Sequence, residues 1–290
     1  MSDSAASTSA AAFCAGLVRE ADFDRYAATL FAPPEKRRPL LALAAFNAEI
    51  VRVRSQVSQP LPGEVRLQWW TDLLAGTAHG GAEGNPVAAE LTRAIAEHGL
   101  PVEPLTRLIE AHIFDLYNDP MPDWTVLEPH LAETEGALIS LTARVLAQGA
   151  AQASDAVEHV ARHAGVVVGV ARIVARLPYD SARRQLYLPN DVVQRHGCDL
   201  EQVFSGQSTA ALRAALAEVV AEARKHLDKA LQEIADLPAA VRPAFLSLAL
   251  ACRDLDRLAA PERDPFTPFE RSRLATLWTL WRASRSKPFR

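Results

Sequence analysis

The feature that most limits the fold is periodicity. Apolar residues return at intervals of three and four along nearly the whole chain, and no period-two alternation lasts more than a few residues. In residues 13–31, Phe13, Leu17, Val18, Phe23, Tyr26, Ala27 and Leu30 follow the helical spacing. Residues 35–56 have an almost continuous apolar centre over 40–46, as expected of a helix buried on several sides. The same reading predicts helices over 64–75, 86–98, 101–117, 126–149, 154–177, 208–236, 239–258 and 267–284. Proline and glycine supply the punctuation. Pro33-Pro34 separates the first two helices, Pro60, Pro62 and Gly63 break the chain, and Asn85-Pro86 opens a helix that Gly99 closes. Residues 118–123 are rich in turn formers, and 178–206 read as an irregular stretch. The expectation is one all-α domain of nine or ten helices over 13–290. Residues 1–12, small and polar, are expected to form a disordered lead-in.

Composition removes several classes of function. Lys plus Arg number 31 against 35 Asp plus Glu, a net charge of −4 that argues against a general nucleic-acid binder. No apolar run approaches the roughly 18 residues needed to cross a bilayer. Cys14, Cys198 and Cys252 are far apart and form no C-x-x-C, which fits neither a disulfide framework nor a zinc site. Isolated thiols fit a reducing compartment, so the expected location is cytoplasmic. The first residues lack the basic and apolar regions of a secretory signal and the arginines of a mitochondrial presequence. The chain carries no dinucleotide fingerprint, P-loop, zincin helix or nucleophile elbow.

A few residue groups remain as candidates. His159 and His163 are one turn apart and would share a metal only with a third ligand; otherwise they are two polar helix positions. Asp254 and Asp256, two apart, face different directions on a helix and read as surface charges. Arg172, Arg176, Arg183 and Arg184 form a basic group near a predicted helix end, followed by Tyr187-Leu188-Pro189. The segment 271–290 carries Arg271, Arg273, Arg282, Arg285, Lys287 and Arg290 with no acid, interleaved with Leu274, Leu277, Trp278, Leu280 and Trp281. Two readings stand for it: contact with an anionic membrane through Trp278, Trp281, Arg282 and Arg285, or tryptophans packed on the bundle with solvated charges. Trp69-Trp70 read as core rather than interface.

The ordering of these motifs resembles the squalene/phytoene synthase family. Tyr26, Pro33, Arg37-Arg38 and Leu43-Ala44-Ala45-Phe46 are similar to its first motif helix, Leu67-Gln68-Trp69-Trp70 to the next, and 136–146 to its central segment. The resemblance covers residues 20–285 and implies an isoprenoid-synthase-like helical bundle. Family enzymes hold Mg²⁺ and a substrate diphosphate with aspartates one helical turn apart on two facing helices. Here the expected acids fall on Val51, Arg52 and Ser55 in the first motif and on Arg176, Tyr179 and Asp180 in the second, so only Asp180 survives. A guanidinium at about 4 Å from a divalent ion, at an effective dielectric near 20, repels it by several kcal/mol per pair of charges.

The resemblance therefore implies a protein without catalytic residues, metal or cofactor, akin to the family's non-enzymatic branch, which includes assembly factors for respiratory complex I. A respiratory-complex membrane subunit and a lipid or isoprenoid are the implied partners, with no nucleic acid. The absence of a presequence points to a bacterial relative, with contact at the inner membrane. The alternative is a Mg²⁺-dependent prenyl transferase with a rearranged site. For the arginines two readings stay open. Arg52, Arg172, Arg176, Arg183 and Arg184, with Asp180 and Tyr187, bind an anionic head group; or Arg52 and Arg176 fill the old metal cavity and pair with Glu49, Asp180 or other nearby acids, and Tyr187 is a packed aromatic.

Overall fold

In a computed structural model of the chain, residues 2–78, 84–147 and 155–286 are described, with side chains from residue 8 onward. The described residues are helical with no strand. They pack into two compact units. The first takes the described residues of Met1–Tyr117, Ala137–Glu158 and Leu237–Ala244; the second takes those of Asn118–Gly136, His159–Asp236 and Phe245–Arg290.

In the first unit α1 (Ser2–Ala21), α2 (Phe23–Thr29), α4 (Pro60–Leu74), α5 (Pro86–His98) and α8 (Ala137–Leu146) pack on α3 (Pro34–Gln56) or on one another. Helix α6 (Glu103–Ala111) lies against α4 and α8. The apolar run of α3 is buried from Pro39 to Ala48 except Leu41, as its composition predicts. Phe46 meets Trp70 edge-on at 5.2 Å, and Trp70 meets Trp69 at 5.0 Å. Asn85 caps α5 by accepting from the N–H groups of Val87 and Ala88, and Gly99 ends it in the left-handed region at φ 58°.

Two boundaries differ from expectation here. Residues 2–12, read as a disordered lead-in, are helical, because an Ala-rich stretch propagates a helix whose Cys14 and Val18 are buried. Helix α4 begins at Pro60 rather than after Gly63, since prolines in a first turn have no intrahelical N–H to lose. A Cβ on Gly63 would come within 2.6 Å of Leu116, so glycine is the residue that lets α4 approach.

In the second unit α7 (Trp124–Leu131) runs through a π-helical turn, Ala132–Gly136, and α9 (Asp155–Ser181) packs against that turn from His159 onward. A Cβ on Gly165 would lie 2.4 Å from the Gly136 backbone nitrogen, so the two backbones touch. Helix α12 (Ala210–Ile234) buries a stripe from Leu212 through Val219 and Ala223 to Ile234. It packs on α10 (Asn190–Arg195) and α13 (Ser247–Leu258), and α13 packs on α14 (Arg273–Arg285). The helices exceed the nine or ten expected because Asp22 splits off α2, the π turn divides α7 from α8, and α10 and α11 (Leu200–Phe204) form within the stretch read as irregular.

Helix α9 also passes through Pro178 to Ser181, held by burial of Leu177, Asp180 and Ser181. No described helix is long and apolar enough to cross a membrane.

Candidate functional site

The first-motif positions lie on the last turns of α3. Val51, Arg52 and Ser55 are exposed. Arg52 donates to Glu49 Oε1 at 3.3 Å, three residues back, and Ser55 Oγ donates to the Arg52 carbonyl at 2.8 Å. The polar groups of this half are thus engaged within their own helix, and one of them is a cation.

The second-motif positions lie at the end of α9. Arg172, Arg176 and Asp180, four residues apart, share one helix face. Arg176 Nη2 meets Asp180 Oδ1 at 3.2 Å, and Arg172 Nη1 meets Glu135 Oε1 at 3.2 Å. Glu135 comes from the π turn, whose extra residue per turn changes the direction of its side chains.

Beyond the helix, the Asp180 carbonyl accepts from the N–H groups of Arg183 and Gln185, and Arg184 takes a left-handed φ of 57°. Arg184 stands where a helix end favours glycine. Two contacts hold it there: both terminal nitrogens of its guanidinium donate to Glu201 of α11, and its guanidinium carbon lies 4.7 Å from the Phe204 ring centroid. The Glu201 pair holds the Arg184 guanidinium above its ordinary pKa and the Glu201 carboxyl below its own. Tyr187 Oη accepts from Gln185 Nε2 at 2.8 Å. The following Leu-Pro loop is tied to the 118–123 connector, where Asn190 N–H donates to the Met121 carbonyl at 2.8 Å.

The four arginines therefore do not converge on one anion. Arg172, Arg176 and Arg184 each take a different carboxylate; among the described residues only the Arg183 guanidinium, exposed, has none. Glu135, Glu201 and Phe204 carry no signal in the sequence, because each acts through a partner distant along the chain. As for Mg²⁺, the donor set does not fit. Of the six aligned positions one is a carboxylate, already paired, two are guanidinium groups, and Val51 offers no lone pair. No group of three His, Cys, Asp or Glu suited to a metal occurs among the described residues.

Two further expectations change. His163 Nδ1 lies 2.8 Å from His226 Nδ1 on α12, a partner that local spacing could not reveal, while His159 stacks edge-on at 4.8 Å. One ring must donate and the other accept, so the pair holds at least one neutral imidazole. Burial pushes both pKa values down, that of His163 to about 4. Asp254, read as a surface charge, is mostly buried and accepts from Arg271 Nη1 at 2.7 Å through both oxygens; Asp256 is exposed and pairs with Arg224. Arg271 is thereby withdrawn from the basic C-terminal set.

The fold these helices build is that of the isoprenoid synthases. It superposes on squalene synthase of Alicyclobacillus acidocaldarius with a TM-score of 0.71 at 20% identity, covering 90% of this chain and 96% of that one. On a dehydrosqualene synthase the TM-score is 0.79 at 15% identity, over 96% of each chain. Residues 18–282 match the squalene/phytoene synthase family, and the chain belongs to it. It is 30% identical over 256 residues to the NADH dehydrogenase (ubiquinone) complex I assembly factor 6 of Mus musculus, covering 88% of this chain and 76% of that protein. Phytoene synthase 2 of Solanum lycopersicum is 23% identical over 248 residues, covering 83% of this chain and 79% of that protein.

Proposed function

We propose that this chain is a non-catalytic member of the squalene/phytoene synthase family that serves as an assembly factor for a membrane respiratory complex, complex I. The observation that carries the reading is the chemistry of the motif positions: arginines at 52 and 176, each paired with its own neighbouring acid, stand where a diphosphate-binding enzyme needs carboxylates. The likeness to complex I assembly factor 6 gives that loss a biological direction. In this reading the protein works from the cytoplasm against the inner membrane and engages a membrane subunit before the complex is complete, carrying a lipid or isoprenoid.

Affinity purification from native membranes in mild detergent, with mass spectrometry of proteins and lipids, tests it. Co-enrichment of complex I membrane subunits is expected, and their absence overturns the assembly role. Recovery of no specific lipid removes the ligand from the reading. Incubation with Mg²⁺ and farnesyl or geranylgeranyl diphosphate should give no condensed product; formation of one would establish a prenyl transferase instead.

A further inference from the structure

Helix α14 has two apolar faces, and the fold uses one. Thr276, Thr279, Leu280 and Ala283 are buried. Their side is fixed by Arg253, which donates to Thr279 Oγ1 at 2.8 Å, and by Arg271, whose Nε donates to Thr276 Oγ1 at 3.0 Å. With about 100° between successive residues of an α-helix, Leu274, Trp278, Trp281 and Arg285 fall together on the opposite side. They are exposed there: Leu274 by 79%, Trp278 by 58% and Trp281 by 38%. The two indoles stack with centroids 5.0 Å apart, and the Arg285 guanidinium lies 4.3 Å from the Trp281 ring centre. Exposed Arg282 borders the stripe.

We infer that this outer face of α14 docks on an anionic lipid surface, with the helix lying in the plane of the interface. Charge decides the occupant. The chain as a whole carries −4, yet residues 271–290 contain six basic residues and no acid. Arg271 turns inward to Asp254, while Arg282 and Arg285 stay exposed beside the indoles. Indoles seat at the level of lipid head groups, and arginines beside them reach phosphates while their stems lie along the apolar boundary. The inference rests on the membrane contact of the proposed function and names the face that makes it; the test uses vesicles and no partner protein, so its failure leaves the assembly role standing.

The test is sedimentation of the full chain with vesicles of phosphatidylcholine alone and of phosphatidylcholine mixed with phosphatidylglycerol. Two variants accompany it, W278S/W281S and R282E/R285E, each checked for wild-type helical circular dichroism and thermal midpoint. The wild type should partition onto the phosphatidylglycerol vesicles, and added salt should weaken that binding. The tryptophan variant should lose about tenfold and the charge-reversed variant at least about thirtyfold, both while folded. No partition onto anionic vesicles, or equal partition of wild type and folded variants, would overturn the proposal. So would a concentration-dependent dimer abolished by both variants without vesicle binding, which would assign the face to a second copy of the chain.

Discussion

Two sets of arginine–carboxylate contacts in this molecule use the same chemistry in opposite surroundings. In the first unit Glu90 is only 3% exposed. It accepts from Arg38 Nε and Nη2 at 2.8 Å each and from Arg93 Nη2 at 2.6 Å. That carboxylate joins α3 to α5, and its bonds raise the Arg38 pKa. It also adds to the burial that pushes the neighbouring Cys14 thiol up to about 12. At the motif positions, Arg52–Glu49 and Arg176–Asp180 each span a single helical turn, with guanidinium groups largely in water. The buried set connects two helices, whereas each motif pair joins residues one turn apart on a single helix.

The contrast breaks first at the buried set. Arg38→Ala leaves the Glu90 carboxylate enclosed with Arg93 as its only cation among the described residues. It should cost about 3 kcal/mol, read as a shift of the denaturant midpoint at unchanged slope; a loss under about 1 kcal/mol would place the Glu90 contacts in the same class as the surface pairs.

Between the extremes stands the His163–His226 contact, largely enclosed and with at least one neutral ring. His163, depressed from 6.5 to about 4, binds fewer protons folded than unfolded across that window. Its contribution to stability is complete above 6.5 and declines as pH falls toward 4. The groups facing the pair, His159, Arg162, Lys229 and Lys225 on one side of the balance and Glu128 and Glu222 on the other, also shape the profile. The thermal midpoint should fall between pH 7 and 5, and the double variant His163→Leu with His226→Leu should flatten that fall. A profile identical in wild type and variant would show that the acids alone govern it.

Arg176→Ala belongs at the other end of the scale. Its side chain is 55% exposed, and the expected change is within about 1 kcal/mol of zero. A larger loss would mean that Asp180, which is buried, depends on this arginine as Glu90 depends on Arg38.

The same distinction explains how far the sequence could be read. Pairing of Arg52 with Glu49 and of Arg176 with Asp180 was among the open readings because separations of three and four place side chains on one helix face; Arg52 filling a cavity was not borne out, since its side chain is exposed. Helix α3, the Asn85 and Gly99 caps of α5 and the family motifs were legible for the same reason: each is a local pattern. The partners of Arg172, Arg184, His163 and Arg271 were not. They are Glu135, Glu201, His226 and Asp254, at separations of 37, 17, 63 and 17 residues. Only the packing of helices brings them together. Proline misled twice, at Pro60 and Pro178, because its cost depends on whether the missing N–H had a partner and on what burial the turn secures.

The smallest effect is the sharpest test of what the motif positions have become. Arg52→Asp together with Arg176→Asp restores two carboxylates at positions the enzymes use, and places each beside an existing acid, Glu49 or Asp180. If charge sign were all that had changed, Mg²⁺ should then bind. The structure predicts otherwise: Val51, Ser55 and Tyr179 still supply no carboxylate, and a hard, six-coordinate ion needs several oxygen ligands held in register. Titration calorimetry of the double variant with Mg²⁺ should show no heat of binding. The thermal midpoint should fall, because each substitution loses an ion pair and sets a carboxylate one turn from another, at Asp180 a buried one. A measurable Mg²⁺ isotherm would instead show that two reversed charges were the whole of the difference from a metal-binding site.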